Sequence, residues 1–189
     1  MPEVKTIEKL AEHVSAACAK HSSPFAFTAG ISGIDGAGKG YITKQLEEAL
    51  TETGYRVANI NIDPWQNPIP VRLRKENAAQ HFYDHVFRWG DVFSQLLIPL
   101  KERKSIYLET ALIHTHADEY YHHVYDFQNI DILLVEAIFL YKKPYLDFFD
   151  YKIWVSCSFE TGLKRAIKRN AERLDEEQLK YDYNFFYHA

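Results

Sequence analysis

The sequence predicts an α/β fold of three layers, a parallel sheet held between helices. Two observations predict it. Short apolar runs at Phe25–Ala29, Arg56–Ile62, Ile130–Glu136 and Tyr151–Cys157 alternate with stretches of helical period. The most apolar of them, Ile130–Glu136, is continuous rather than alternating, as a strand covered on both faces must be.

Taken in order, residues 6–20 read as a helix. Thr6 can cap it, and Ile7, Leu10, Ala11, Val14 and Cys18 recur on one face as structural cover for the sheet. Phe25–Ala29 is the first strand. Tyr41 to Thr53 follows as a helix with Ile42, Leu46 and Leu50 aligned, and Gly54 stands where a C-terminal cap belongs. The second strand ends at Asp63-Pro64-Trp65, because proline cannot continue a central strand. A basic connection over residues 66–76 carries Pro68, Pro70, Arg72, Arg74 and Lys75. Helical patterning returns over 76–87 and 91–100, and 101–104 makes a charged turn. Ile106-Tyr107-Leu108 reads as a short strand, and the remainder to residue 127 as an aromatic loop. After the third long strand, 142–149 reads as a short helix. The fourth strand begins at Tyr151, and Ser158 caps a helix running to about Leu174. The tail turns from acidic to aromatic, and so many aromatic side chains point to a segment that packs.

The composition bounds the function. The chain has 189 residues, 47% hydrophobic and 15% aromatic, enough for one domain with a sizeable core. A net charge of −4 argues against nonspecific nucleic-acid binding. Cys18 and Cys157 are far apart and lack metal-site spacing, which suits a reducing compartment. No apolar run reaches membrane-spanning length and no signal-peptide pattern opens the chain. The expectation is a cytoplasmic, soluble protein with a small-molecule substrate, no nucleic-acid or membrane partner, and homo-oligomerisation left open.

Chemistry concentrates in Gly30-Ile31-Ser32-Gly33-Ile34-Asp35-Gly36-Ala37-Gly38-Lys39-Gly40, which holds five of the chain's eight glycines. Gly33, Gly38 and Lys39 fit the phosphate-binding pattern G-x-x-x-x-G-K-[ST] except at its last position. Glycines let backbone N–H groups turn inward around a phosphate, and the following helix offers its positive N-terminus. Lys39 would reach the β- and γ-phosphates. Gly40 lacks the hydroxyl that would touch Mg²⁺, and Thr43 lies too far along the helix to replace it.

Asp63 falls at the carboxyl end of a strand, where open α/β sheets bind ligands. It can take a proton from an attacking hydroxyl, hold Mg²⁺ through water, or simply start a turn. Glu136 ends a strand of the kind that lies beside a phosphate-loop strand, where an acid organises Mg²⁺ or orients the nucleophile. Arg165, Arg169 and Arg173 recur every fourth residue, either as a solvated basic face or as phosphate clamps. His114, His116, His122 and His123, with Asp118 and Glu119, match no structural zinc spacing and read as a solvated stretch with at most one substrate contact.

In this order the features resemble the uridine kinase and phosphoribulokinase-like family of P-loop kinases, over residues 25–189, and bacterial uridine kinase-like members most. Gly30–Lys39 is similar to the family's loop, and Ile62-Asp63-Pro64-Trp65 to its second strand end. Tyr83–Phe87 and Leu97–Leu100 resemble acceptor-side helices, and Glu109-Thr110-Ala111 with Asp118 resembles a loop after them. Leu134–Leu140 resembles the segment V-E-G-I-F-L with Ala137 for glycine, and Leu163–Arg173 a lid helix with Asn170 for aspartate. Arg88 stands where several relatives carry an acid, and the family normally continues past the point corresponding to Ala189.

The resemblance implies a three-layer P-loop nucleoside triphosphate hydrolase fold. Four strands are visible, and a fifth would be missing at a truncated C-terminus. It implies one kinase domain: an N-terminal helix to residue 24, a core with acceptor-side insert over 25–157, and a lid helix and tail over 158–189. It implies ATP and Mg²⁺, with Gly33, Asp35, Gly36, Ala37, Gly38, Lys39, Gly40, Tyr41, Arg165 and Arg173 on the nucleotide. Asp63, Trp65, Arg72, Tyr83, Asp84 and Phe87 would contact the acceptor, Asp63 and Glu136 the metal. Lys39, Asp63, Glu136 and Arg169 would be catalytic. The implied reaction is phosphorylation of a nucleoside 5′-hydroxyl, uridine or cytidine. The alternatives are another small alcohol (a sugar, sugar phosphate or pantothenate) or a nucleotide-binding protein with little transfer activity.

Overall fold

A computed structural model describes residues 3–74, 76–114, 118–170 and 176–187. Its centre is a four-stranded parallel sheet of β1 (Phe27–Ser32), β2 (Val57–Asn61), β5 (Ile132–Glu136) and β6 (Tyr151–Trp154), in the order β2-β5-β1-β6. Successive side chains along β5 face opposite sides. Ile132 and Leu134 join Leu10, Val14, Leu46 and Leu50 of α1 (Ile7–Ala19) and α2 (Lys39–Glu52) on one face. Leu133 and Val135 pack on the other face against Val92, Phe93, Leu96 and Leu97. Every residue of β5 is therefore buried, which explains its unbroken apolar sequence.

Local signals fix the helix ends near the sheet. Thr6 accepts a hydrogen bond from Lys9 N at 3.3 Å and Ser158 from Thr161 N at 3.2 Å, each closing the start of its helix. Gly54 takes φ 94° after α2, a backbone state that glycine tolerates without strain.

The segment between β2 and β5 departs most from expectation. Helix α3 (Ile69–Arg72) is a single turn, and α4 (Ala78–His85) stops before Phe87. Trp89 to Arg103 runs as one rod of α5 (Trp89–Asp91), a π-helical stretch Val92–Leu97, and α6 (Ile98–Arg103), so the expected charged turn over 101–104 is mostly helix and ends at Lys104 with φ 60°.

The expected loop over 105–127 is instead a hairpin, β3 (Ile106–Ile113) antiparallel to β4 (Tyr120–Phe127), with Ile106 opposite Phe127. Its inward positions Ile106, Leu108, Leu112, Tyr121, Tyr125 and Phe127 cover the second core. Tyr and His at alternating inward and outward positions hid the period-two pattern. His123 turns inward against Tyr125 with ring centroids 4.4 Å apart, whereas His122 turns outward to Glu109 at 3.4 Å. His116 lies outside the described residues.

Residues Lys143–Phe148 form a 3₁₀ turn where a helix was expected. Helix α7 (Phe159–Asn170) and helix α8 (Glu176–Tyr187) are the last described elements, the expected run of α7 on to Leu174 lying outside the described residues, and Tyr183 of α8 packs as the aromatic tail predicts. Among the described residues no helix is long and apolar enough to cross a membrane.

Candidate active site

The parallel register brings three carboxyl ends into line. Asn61 pairs with Glu136 and Glu136 with Ile31, so the chain leaves β2, β5 and β1 at one level. Ile62 N donates to Glu136 O at 3.0 Å, and Ala137 N to Ile31 O at 3.2 Å, tying the exits together. Asp63 begins a 3₁₀ turn immediately past β2, Glu136 ends β5, and the glycine loop follows β1.

Within the loop, Gly36 and Gly38 take φ 70° and 96°. These are conformations in which a side chain would be strained, and they are what curls the backbone inward. Gly38 precedes the first turn of α2, whose N–H groups face the loop. Lys39 is buried, and its Nζ crosses the loop to donate to Ile34 O at 3.1 Å.

Charges around this loop act on one another. Burial raises the Asp63 carboxyl above the usual carboxylate range; Lys39 and Arg169 pull it back down, while Asp35 pushes it further up. Burial and the nearby Asp63 charge push Glu136 up to about 7, against the pull of Lys39. Lys39 and Arg169 are the cations that act against this gathering of acids.

Glu136 also answers the question raised by Gly40. A Cβ at Gly40 would stand 3.6 Å from both Glu136 carboxyl oxygens. The carboxyl therefore hangs over the position where a loop hydroxyl would be. The Thr43 hydroxyl lies close by, but its proton goes to Lys39 O at 2.9 Å, and Glu136 Oε2 is left buried without a hydrogen-bond partner. A buried, unpartnered carboxylate oxygen beside a phosphate loop fits a divalent cation. Thr43 stands four residues after Lys39 on the same helix face, with its proton held by the helix backbone.

Helix α7 lies across the loop. Arg169 Nη2 bonds Asp35 Oδ2 at 2.6 Å, and Arg165 Nη1 donates to the Gly36 and Ala37 carbonyls at 3.3 Å each. Tyr183 of α8 donates to Asp35 O at 2.7 Å. Arg173 lies outside the described residues. Tyr41 is 72% exposed on the first turn of α2.

The residues expected to meet an acceptor divide. Tyr83 and Asp84 line a cleft of about 510 Å³ with Trp89, Lys142 and Lys143. Phe87 borders the same cleft but is 2% exposed and belongs to the core. Trp65 is fully buried and donates Nε1–H to Tyr125 at 3.0 Å, so it does not face a ligand. Arg72 is buried too, held by Gln66 Oε1 and by Asn67 O at 3.1 Å, and braces the turn after β2. Sequence reasoning missed Lys142, whose ammonium lies 4.0 Å from the Tyr83 ring centroid and 4.0 Å from Asp84 Oδ1. Nothing local marks it, because its partners are some 60 residues away in the chain.

Comparison with solved structures decides the architecture. A possible uridine kinase from Bacillus stearothermophilus superposes with a TM-score of 0.67 at 19% identity, over 93% of this chain and 92% of that one. The chain has the P-loop NTPase fold. A candidate fructose transport system kinase from Silicibacter sp. matches this fold with a TM-score of 0.73 at 15% identity, over 96% and 89% of the two chains. The D-glycerate 3-kinase from Cryptococcus neoformans matches at 0.66 and 13%, over 97% and 87%. No protein-family model and no curated protein sequence matches the chain.

Proposed function

We propose that this protein is a small-molecule kinase that transfers the γ-phosphoryl group of ATP to an alcohol, with a nucleoside 5′-hydroxyl as the leading acceptor. The observation that carries the proposal is the convergence of Lys39, Asp63, Glu136 and the Asp35–Arg169 pair at the strand ends around one glycine loop. Phosphoryl transfer needs positioned charge more than covalent chemistry, and this is such an arrangement.

In the proposed reaction the loop amides and Lys39 hold the β- and γ-phosphates. Asp63 accepts the proton of the acceptor hydroxyl as its oxygen bonds to the γ-phosphorus. The bond from that phosphorus to the β,γ-bridging oxygen breaks, and ADP leaves. Burial that raises the Asp63 carboxyl also makes it a better proton acceptor than an exposed carboxylate. Glu136 and Asp63 would hold Mg²⁺, which neutralises phosphate charge when bound. Arg165 and Arg169, which grip the loop, are close enough to turn onto phosphoryl oxygens.

Two other readings have support. The structural neighbours include kinases named for fructose transport and for D-glycerate, which favours a different alcohol. The missing hydroxyl at Gly40 favours a nucleotide binder with little turnover. A panel of alcohols assayed for ADP release separates the three. Uridine or cytidine turnover supports the leading acceptor, turnover on a sugar or glycerate alone replaces it, and ATP binding without turnover on any alcohol selects the binder.

A further inference from the structure

The hairpin leaves one strand edge open. Strand β3 lies toward the body of the molecule, beside the 3₁₀ turn after β2 and the π-helical stretch, and Arg88 Nη2 donates to its Ala111 O at 2.9 Å. Strand β4 is the outer strand, and among the described residues β3 is its only partner in the sheet. The ladder decides which backbone groups of β4 face outward. His114 N donates to Glu119 O at 3.0 Å, so that pair is hydrogen-bonded, and bonded and non-bonded pairs alternate along an antiparallel ladder. In the observed register Ala111–His122, Glu109–Val124 and Tyr107–Asp126 are then non-bonded pairs, which agrees with Ala111 O turning to Arg88. The N–H and C=O groups of His122, Val124 and Asp126 therefore point away from β3. The edges of the parallel sheet, β2 and β6, run five and four residues, whereas β4 runs eight without a lysine, proline or glycine. A long edge without such breakers is a template for another strand.

We propose that β4 pairs antiparallel with β4 of a second copy of this chain, about a two-fold axis through Val124. The strand is complementary to itself in that register. His122 of each copy stands opposite Asp126 of the other, a basic side chain facing an acidic one on both sides of the axis, and Val124 stands opposite Val124. Sliding either strand by two residues puts Val124 opposite His122 or opposite Asp126 and breaks both charge pairs. The paired side chains are already held on this edge from within their own copy. Glu109 Oε2 lies 3.4 Å from His122 Nε2, and Gln128 Nε2 donates to Asp126 Oδ1 at 2.9 Å. Ladder bonds supply the affinity and the side-chain pairs fix the register. A second copy, rather than a foreign strand, is the occupant because one short sequence supplies both members of every pair.

Sedimentation of the full chain over a concentration series, without nucleotide, should show a reversible monomer–dimer equilibrium. Val124→Lys sets two like charges across the axis and should weaken the dimer about tenfold. Val124→Pro removes one N–H from each copy and should also weaken it about tenfold, while its edge position spares the bonds to β3. Far-UV circular dichroism of both variants should match that of the parent, which separates loss of the dimer from loss of the fold. The register is read by oxidative crosslinking in a Cys18→Ser, Cys157→Ser background. Val124→Cys should link to its own copy, since Cα atoms of a bonded antiparallel pair lie about 5.5 Å apart, within the range of about 4.4–6.8 Å that a disulfide spans. His122→Cys and Asp126→Cys should each link poorly alone and well when mixed. A parent chain that stays monomeric up to its solubility limit overturns the proposal and leaves the edge to a strand of another protein. A dimer untouched by both Val124 variants overturns it as well. So does one that links through His122→Cys alone as readily as through Val124→Cys.

Discussion

The glycine-loop half of this molecule and the half proposed to meet the acceptor are built by different means. The loop half is a backbone device. Gly36 and Gly38 at positive φ, the N-terminus of α2 and Lys39 all fall within a few consecutive residues. The half proposed for the acceptor is a mosaic of side chains brought from α4 and the segment after β5, with Tyr83 and Lys142 far apart in sequence. A phosphate presents the same oxygens whatever carries it, so a short local motif can recognise it. Acceptors differ in shape, and shape is met by surfaces that only the tertiary fold assembles.

Asp63 sits on the seam between the halves, and the largest effect is expected there. Asp63→Asn keeps the size of the side chain and removes the proton acceptor. Turnover should fall by about 10²–10⁴-fold, whereas ATP affinity measured by calorimetry should hold. Loss of ATP affinity in step with turnover would place Asp63 in the loop half and remove it from the chemistry. Lys39→Ala tests the loop half directly. Loss of a charge-assisted contact worth about 1.5–3 kcal/mol predicts ATP binding weaker by about ten- to hundredfold. Tight ATP binding by this variant would refute the phosphate-loop argument itself.

The same contrast explains what the sequence disclosed. The glycine loop, the strand that carries Glu136 and the caps at Thr6 and Ser158 are local patterns, and each appears where its residues predict. Asp63 was legible because Pro64 stops the strand. The hairpin β3–β4 was not, since its alternation is written in Tyr and His, residues that read as polar or apolar according to what they face. The resemblance places Trp65 and Phe87 on the acceptor, yet both turn into the core. That depends on long-range packing, which no spacing rule reports. Tyr83 and Asp84 do border a cleft, and the Lys142 that orders them is visible only in three dimensions.

Glu136 sharpens the comparison, because it puts an electrostatic cost into the loop half. Its carboxyl titrates near 7 in the folded protein against 4.5 unperturbed. Between those values the folded state holds more protons than the unfolded one, so stability falls as pH rises from about 4.5 to 7. Glu136→Gln removes that penalty. In denaturant melts without nucleotide it should be more stable than the parent by roughly 1–3 kcal/mol at pH 8, and the two should converge at pH 4.5. A gain that is the same at both values would mean that the buried carboxyl is not what costs stability. Thr43→Ala deletes a bond to Lys39 O and also a contact that holds the Glu136 carboxyl down, so it should destabilise more at pH 8 than at pH 4.5.

The smallest effect probes a part of the loop half that is not local. Tyr183 of α8 donates to Asp35 O, and Gly162 of α7 packs so closely beneath it that an added Cβ would meet the Tyr183 hydroxyl and come within 3.0 Å of Asp35 O. The loop is thus clasped by side chains from well over 100 residues away. Tyr183→Phe deletes one hydrogen bond and should cost about 0.5–1.5 kcal/mol in urea unfolding. Gly162→Ala should cost more, because the new methyl displaces the hydroxyl and breaks the same bond. Combined in one chain, the two should cost less than their sum, by about 0.5–3 kcal/mol of coupling, since the crowding group is already gone. Strict additivity would mean that α8 does not clasp the loop through Tyr183, leaving Arg165 and Arg169 of α7 as its distant contacts.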